Sequence, residues 1–135
     1  MANQLDSVCQ GLLNDVDDAL GAAVVDLESG MILSVAHNIP YFTQSYIDAV
    51  AAAAVDMFRG RTVSNVERML ANQRGKTVRH TIKEVQMSTD KTFHFMAVIP
   101  NKDSLLVLIT GRKANLGMGW ASVRRVLPSV EPLCP

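Results

Sequence analysis

Residues 20–37 constrain the fold more than any other stretch of this chain. An apolar run, Leu20-Gly21-Ala22-Ala23-Val24-Val25-Asp26-Leu27, is followed across only Glu28-Ser29-Gly30 by a second run, Met31-Ile32-Leu33-Ser34-Val35-Ala36-His37. So short a connection joins two strands by turning them antiparallel, and it needs one residue at positive φ, which Gly30 supplies. The spacing predicts a β-hairpin. In front of it Leu5, Val8, Cys9, Leu12, Leu13, Val16 and Leu20 recur at intervals of three and four, a stripe roughly 100° wide that predicts a helix over about residues 3–18. Asp15, Asp17 and Asp18 crowd the end of that helix, where its dipole disfavours negative charge, so this end is expected to fray or to face a cation. Calcium is not the expected cation, because the loop glycine and the closing glutamate of a calcium loop are missing.

A second helix is predicted over residues 44–59. Pro40 ends the preceding strand and Thr43 or Ser45 can cap the helix. Its polar positions Gln44, Ser45, Asp48, Asp56 and Arg59 gather on one side, and apolar residues cover roughly 240° of the circumference. A helix lying on one sheet hides about half of that arc, so the remainder calls for a second partner. Ala49, Ala53 and Met57, four residues apart, form a low ridge suited to close approach by another copy, and two-fold homodimers are the commonest oligomers. Cover by the first and third helices of the same chain is the alternative.

Gly60 breaks this helix, and Ser64 with Glu67 reads as a capping box opening a short helix through Asn72, with Val66, Met69 and Leu70 inward. Residues 77–89 are strand-like, with a shift of inward parity at Lys83-Glu84 that predicts a bulged edge strand. Phe93, Phe95, Ala97 and Ile99 then alternate with Thr92, His94, Met96 and Val98. Leu105-Leu106-Val107-Leu108-Ile109 is apolar on both faces, as a central strand is, and it points to a packed core. Asn115 caps a last helix along Leu116, Trp120, Val123, Leu127 and Val130, which Pro128 bends or ends.

This element order, with Gly-Ala-Ala-Val-Val-Asp-x-x-x-Gly at the hairpin and Ala114-Asn115-Leu116-Gly117 opening the last helix, resembles the Roadblock / dynein light-chain family in its bacterial gliding-regulator form. The resemblance spans nearly the whole chain. It implies an α+β fold in profilin-like order, α-β-β-α-β-β-β-α, as one domain over residues 1–135. The five-stranded antiparallel sheet would be sandwiched between helices, with the long second helix on one face and the terminal helices on the other. It also implies dimerisation through the second helix and the adjoining edge strand, and a role as a motor light-chain adaptor or as a dimeric regulator and platform for a small Ras-like GTPase. The short chain makes the GTPase-binding version the expectation. On this reading the interface residues are Tyr46, Ala49, Val50, Ala53, Met57, Arg59 and Arg61, with His80 and Ile82 on the edge strand. A small-ligand sensor or a structural scaffold component of a larger complex is the alternative.

Residues 1–58 hold eight acids and no Lys or Arg, whereas all 13 basic residues follow, and formal net charge is zero. Arg59, Arg61, Arg68, Arg74, Lys76, Arg79 and Lys83 fall close together, but no aromatic residues interleave with them, which argues against nucleic acid and for an acidic protein surface or solvent. No run approaches the roughly 20 apolar residues of a membrane span, and the N-terminus lacks a signal-peptide layout. A cytoplasmic protein without membrane insertion is therefore expected. Hydrophobic residues make up 48% of the chain, enough for a core of ordinary size without disulfides. Cys9, on the first apolar stripe, reads as a core residue, and Cys134 has no neighbouring Cys or His at ligand spacing.

Catalytic chemistry is not legible. His37, His80 and His94 fall on separate strand-like segments without partners at metal-ligand spacing. No nucleophile elbow, metalloprotease motif or catalytic carboxylate pair is present. Gly111-Arg112-Lys113 and Gly117-Met118-Gly119 are too little for a phosphate loop. The chain is expected to be a non-enzymatic protein with no cofactor and no metal.

Overall fold

The computed structural model describes residues 4–135. α1 (Gln4–Asp15) leads into the hairpin of β1 (Ala19–Asp26) and β2 (Ile32–His37). α2 (Gln44–Arg59) and α3 (Arg61–Arg74) follow, then β3 (Glu84–Ser88), β4 (Thr92–Val98), β5 (Ser104–Gly111), α4 (Leu116–Val130) and a short 3-10 turn, Glu131–Leu133. The five strands form one antiparallel sheet in the order β2-β1-β5-β4-β3. Gly30 takes φ 76° in the hairpin turn and its amide donates to the Asp26 carbonyl at 2.8 Å, so the turn forms as its sequence predicts.

Alternation along the strands divides the core in two. Phe93, Phe95, Ala97 and Ile99 of the β4 region, with Leu106 and Leu108 of β5, meet Leu5, Cys9 and Leu12 of α1 and Val123 and Val130 of α4. Met96, Leu105 and Val107 point the other way, to Ala51, Ala54 and Phe58 of α2. β5 is thus apolar on both sides because a helix layer covers each side. Cys9 is fully buried, and burial pushes its thiol up to about 11, with a bond to Ser34 only partly opposing. That thiol is a core group and not a nucleophile at neutral pH.

Several elements differ from the sequence reading. α1 ends at Asp15; residue 3, where the sequence reading starts it, lies outside the described residues. Asp18 is held by backbone amides instead of a cation: it takes φ 63°, its carbonyl accepts from the Gly111 amide at 2.9 Å and its carboxylate from the Lys113 amide at 3.0 Å. α3 begins at Arg61 with Gly60 as its cap, so the Ser64–Glu67 capping box is not made. Val66 and Met69 point outward, 51% and 62% exposed, instead of inward. The edge strand is only Glu84–Ser88 and pairs with β4 without a bulge. Residues 75–83 run irregularly, with His80 at φ 53°, which breaks strand alternation there.

The α4 end explains Gly117-Met118-Gly119 without a ligand. Asn115 caps the helix through its side chain, which accepts from the Met118 amide at 3.0 Å. A Cβ on Gly119 would sit 2.4 Å from the Phe95 ring, itself fully buried and packed edge-on against Trp120 at 5.4 Å. Gly119→Ala is therefore expected to destabilise the fold by about 1–3 kcal/mol through overpacking, measured by urea denaturation. Gly117→Ala, facing only the Asn115 side chain at 3.2 Å, should cost less. Equal losses would contradict the close-approach account.

Candidate functional site

α2 occupies the span that its sequence predicts. Thr43 caps it, accepting from the Tyr46 amide at 3.2 Å, and the chain turns at Gly60. Only Ala51, Ala54 and Phe58 of this helix are buried. Because two of the three anchors are alanines, the helix does not fill the space above the sheet. An apolar cavity of about 290 Å³ remains, bounded by Ala22, Val25 and Val107 below and Val50, Ala54 and Met57 above. Phe42 stands at its edge, stacked on Tyr46 at 5.0 Å and tilted against His37 at 5.4 Å. The α2 side of the sheet is therefore less fully packed than the β5 sequence predicts.

The outer side of α2 is open. Ala49 and Ala53 are exposed, Tyr46 is 44% exposed, and Val50 and Met57 are half-buried. α1 lies on the opposite face of the sheet and α3 leaves this ridge uncovered, so cover from within the chain is not what the fold provides. β3 lies at the sheet margin, with Val85 and Met87 half-buried on the α2 side. Its other face is tied to α4: Glu84 and Arg124 make a two-pronged pair at 3.0 and 2.8 Å, and the Arg124 guanidinium lies over Trp120 at 5.0 Å. That pair fixes one side of the edge strand and, among the described residues, leaves its outer backbone groups unpaired by any strand.

The remaining expected interface residues separate into two groups. Arg61 is exposed at the start of α3. Arg59 is withdrawn: its side chain is 13% exposed, one Nη lies 3.6 Å from an Asp103 carboxylate oxygen, and the other Nη is buried without a hydrogen-bond partner among the described residues. His80 is not on a strand; it sits near Arg59 and Arg79, and burial together with those two cations lowers its pKa. Ile82 also lies outside the edge strand, which begins at Glu84, and packs half-buried against the α2-side core. Tyr46, Ala49, Ala53 and Arg61 are thus exposed, whereas Arg59, His80 and Ile82 are partly withdrawn from solvent.

The bond that Glu67 makes to Thr81 carries no sequence signal. The Glu67 side chain is 6% exposed, and a single carboxylate oxygen accepts from both the amide and the hydroxyl of Thr81 at 2.6 Å. This clamp holds residues 75–83 against α3. Spacing cannot announce it, because Thr81 is 14 residues away. Among the described residues no cluster of three His, Cys, Asp or Glu is placed to hold a metal ion, and no helix is long and apolar enough to cross a membrane.

The sheet order and helix placement define a Roadblock/LC7 fold, and solved structures carry the same arrangement. A Roadblock/LC7 domain from Streptomyces avermitilis superposes with a TM-score of 0.70 at 20% identity, covering 94% of each chain. The gliding protein MglB from Thermus thermophilus gives 0.70 at 16% identity, over 95% of this chain and 86% of that one. A structure described as MglB with tetrameric arrangement gives 0.71 at 17% identity, over 95% and 85%. At these identities the likeness shows the fold. No protein-family model and no curated protein matches the sequence.

Proposed function

We propose that this protein is a non-enzymatic dimeric adaptor of the cytoplasm that binds a small Ras-like GTPase and biases its state. The observation that carries the reading is the exposed Ala49–Ala53 ridge of α2, the helix that covers the face of the sheet to which Val85 and Met87 of the margin strand β3 turn. Two copies related by a two-fold axis bring ridge against ridge, and alanines let the helix backbones approach closely. The partner's helix then covers Val50 and Met57. The fold likeness to MglB, in which a tetrameric arrangement is described, supports an assembling role.

The dimer presents α2 and its flanks to the GTPase switch regions. A regulator that inserts no catalytic group acts by binding one switch conformation more tightly than the other, and shifts the population by that difference in affinity. Arg61, exposed at the start of α3, is the cation taken to meet the GTPase; Arg59, engaged with Asp103, positions the α2–α3 junction. The test is affinity capture from the source organism's lysate with GDP or a non-hydrolysable GTP analogue, followed by mass spectrometry. A small GTPase retained preferentially in one nucleotide state, and lost with Arg61→Glu, is the expected result. Equal retention in both states, or retention unaffected by Arg61→Glu, contradicts the docking surface.

The cavity beneath α2 favours a second reading, a sensor of an apolar metabolite. A rise in melting temperature with one member of a metabolite panel would favour it over the adaptor.

A further inference from the structure

A second concavity lies away from the α2 ridge, between α3 and the irregular segment after it. It is polar and opens broadly to solvent. Arg68 of α3 and Lys76 and Arg79 of the following segment line it, and all three are exposed. Among the described residues the ion pairs are Arg59 with Asp103 and Arg124 with Glu84, so none of these three cations meets a carboxylate. Arg68 donates only to the Asn65 side chain, at 3.4 Å. Among the described residues the one acid in the lining is Glu67, whose carboxylate is already committed to Thr81. The cleft therefore has a cationic rim above a buried anionic wall.

We propose that this cleft binds an extended, carboxylate-rich segment of a partner protein. A compact phosphate seated deeply would meet the Glu67 carboxylate, whereas acidic side chains spaced along an extended peptide reach the rim cations and leave Glu67 undisturbed. No Phe, Tyr or Trp lines the cleft, so it offers no stacking platform for nucleobases. The exposed apolar residues of α3, Val66 and Met69, lie outside the lining, so the cleft offers nothing to insert into a bilayer. Complementary charge at such a rim sets specificity and speeds encounter, with strong dependence on salt. The site stands apart from the α2 surface and does not depend on the GTPase reading.

Fluorescence anisotropy tests it on the intact protein, with a labelled peptide of alternating glutamate and glycine and with its glutamine counterpart. The glutamate peptide is expected to bind, and the glutamine peptide at least about tenfold more weakly. Arg68→Ala combined with Arg79→Ala should weaken binding by at least about tenfold, while Lys91→Ala combined with Arg125→Ala, exposed cations elsewhere, should leave it unchanged. Far-UV circular dichroism verifies that both double variants stay folded. Equal loss in the two double variants, or failure of the glutamate peptide to bind, whether or not inorganic phosphate, an oligonucleotide or phosphatidylglycerol vesicles bind, would overturn the proposal.

Discussion

Phe58→Ala is expected to cost about 3–5 kcal/mol of folding stability, the largest loss of any single truncation on the α2 side. Phe58 is fully buried and is the only large anchor of its helix, since Ala51 and Ala54 contribute little area. The space above the sheet already holds a cavity of about 290 Å³, so neighbouring side chains have no surplus volume with which to refill the site. Urea denaturation of the variant reads the loss directly. A loss below about 1 kcal/mol would mean that α2 is not held where the core predicts. Since the proposed dimer surface is the outer side of the same helix, the variant should also weaken self-association.

Glu67→Ala is expected to cost about 1.5–3 kcal/mol, the range for hydrogen bonds to a charged group. The substitution removes the acceptor shared by the Thr81 amide and hydroxyl and releases residues 75–83 from α3. Glu67→Gln, which keeps an acceptor but not the charge, should cost less. The effect carries a pH signature. Burial raises the carboxyl pKa, but the bonds from the Thr81 hydroxyl and amide outweigh it, and the folded value lies below the ordinary 4.5. A group depressed on folding contributes its full stability above the unfolded pKa and loses it as pH falls through the folded one. The wild type should therefore lose this contribution below about pH 4.5, while Glu67→Ala lacks that part of the slope. Glu84, held low by its bond to Arg124, titrates in the same direction and accounts for acid sensitivity that persists in the variant. An unchanged pH profile in Glu67→Ala would contradict the clamp.

Where the sequence reading succeeds, the determinants are local. Thr43 and Gly60 bound α2, Gly30 sets the hairpin turn, Asn115 caps α4, and strict alternation places Phe93 and Phe95 opposite His94 and Met96. Where it fails, a distant partner decides. Ser64 and Glu67 have the spacing of a capping box, yet Glu67 is taken by Thr81, and α3 starts a full turn early. Val66 and Met69 follow an inward periodicity, but the buried side of α3 centres on Glu67, so both face solvent. Residues 77–89 read as strand-like, and His80 at positive φ interrupts their first half. Of the residues expected at an interface, the exposure of Ala49 and Ala53 could be read from an apolar arc too wide for one sheet. The burial of Arg59 could not, because Asp103 approaches it from the β4–β5 turn.

The α2 ridge is the proposed interface between two copies, and sedimentation equilibrium of the wild type beside Ala49→Glu decides whether it is. Ala49 is exposed in the single chain and outside the cavity lining, so the substitution should leave the fold intact within about 0.5 kcal/mol. In the interface it buries a charge without a partner. The predicted result is twice the mass of one chain for the wild type and the mass of one chain for the variant. A monomeric wild type, or a variant that still forms the dimer, would rule out the α2 ridge as the interface.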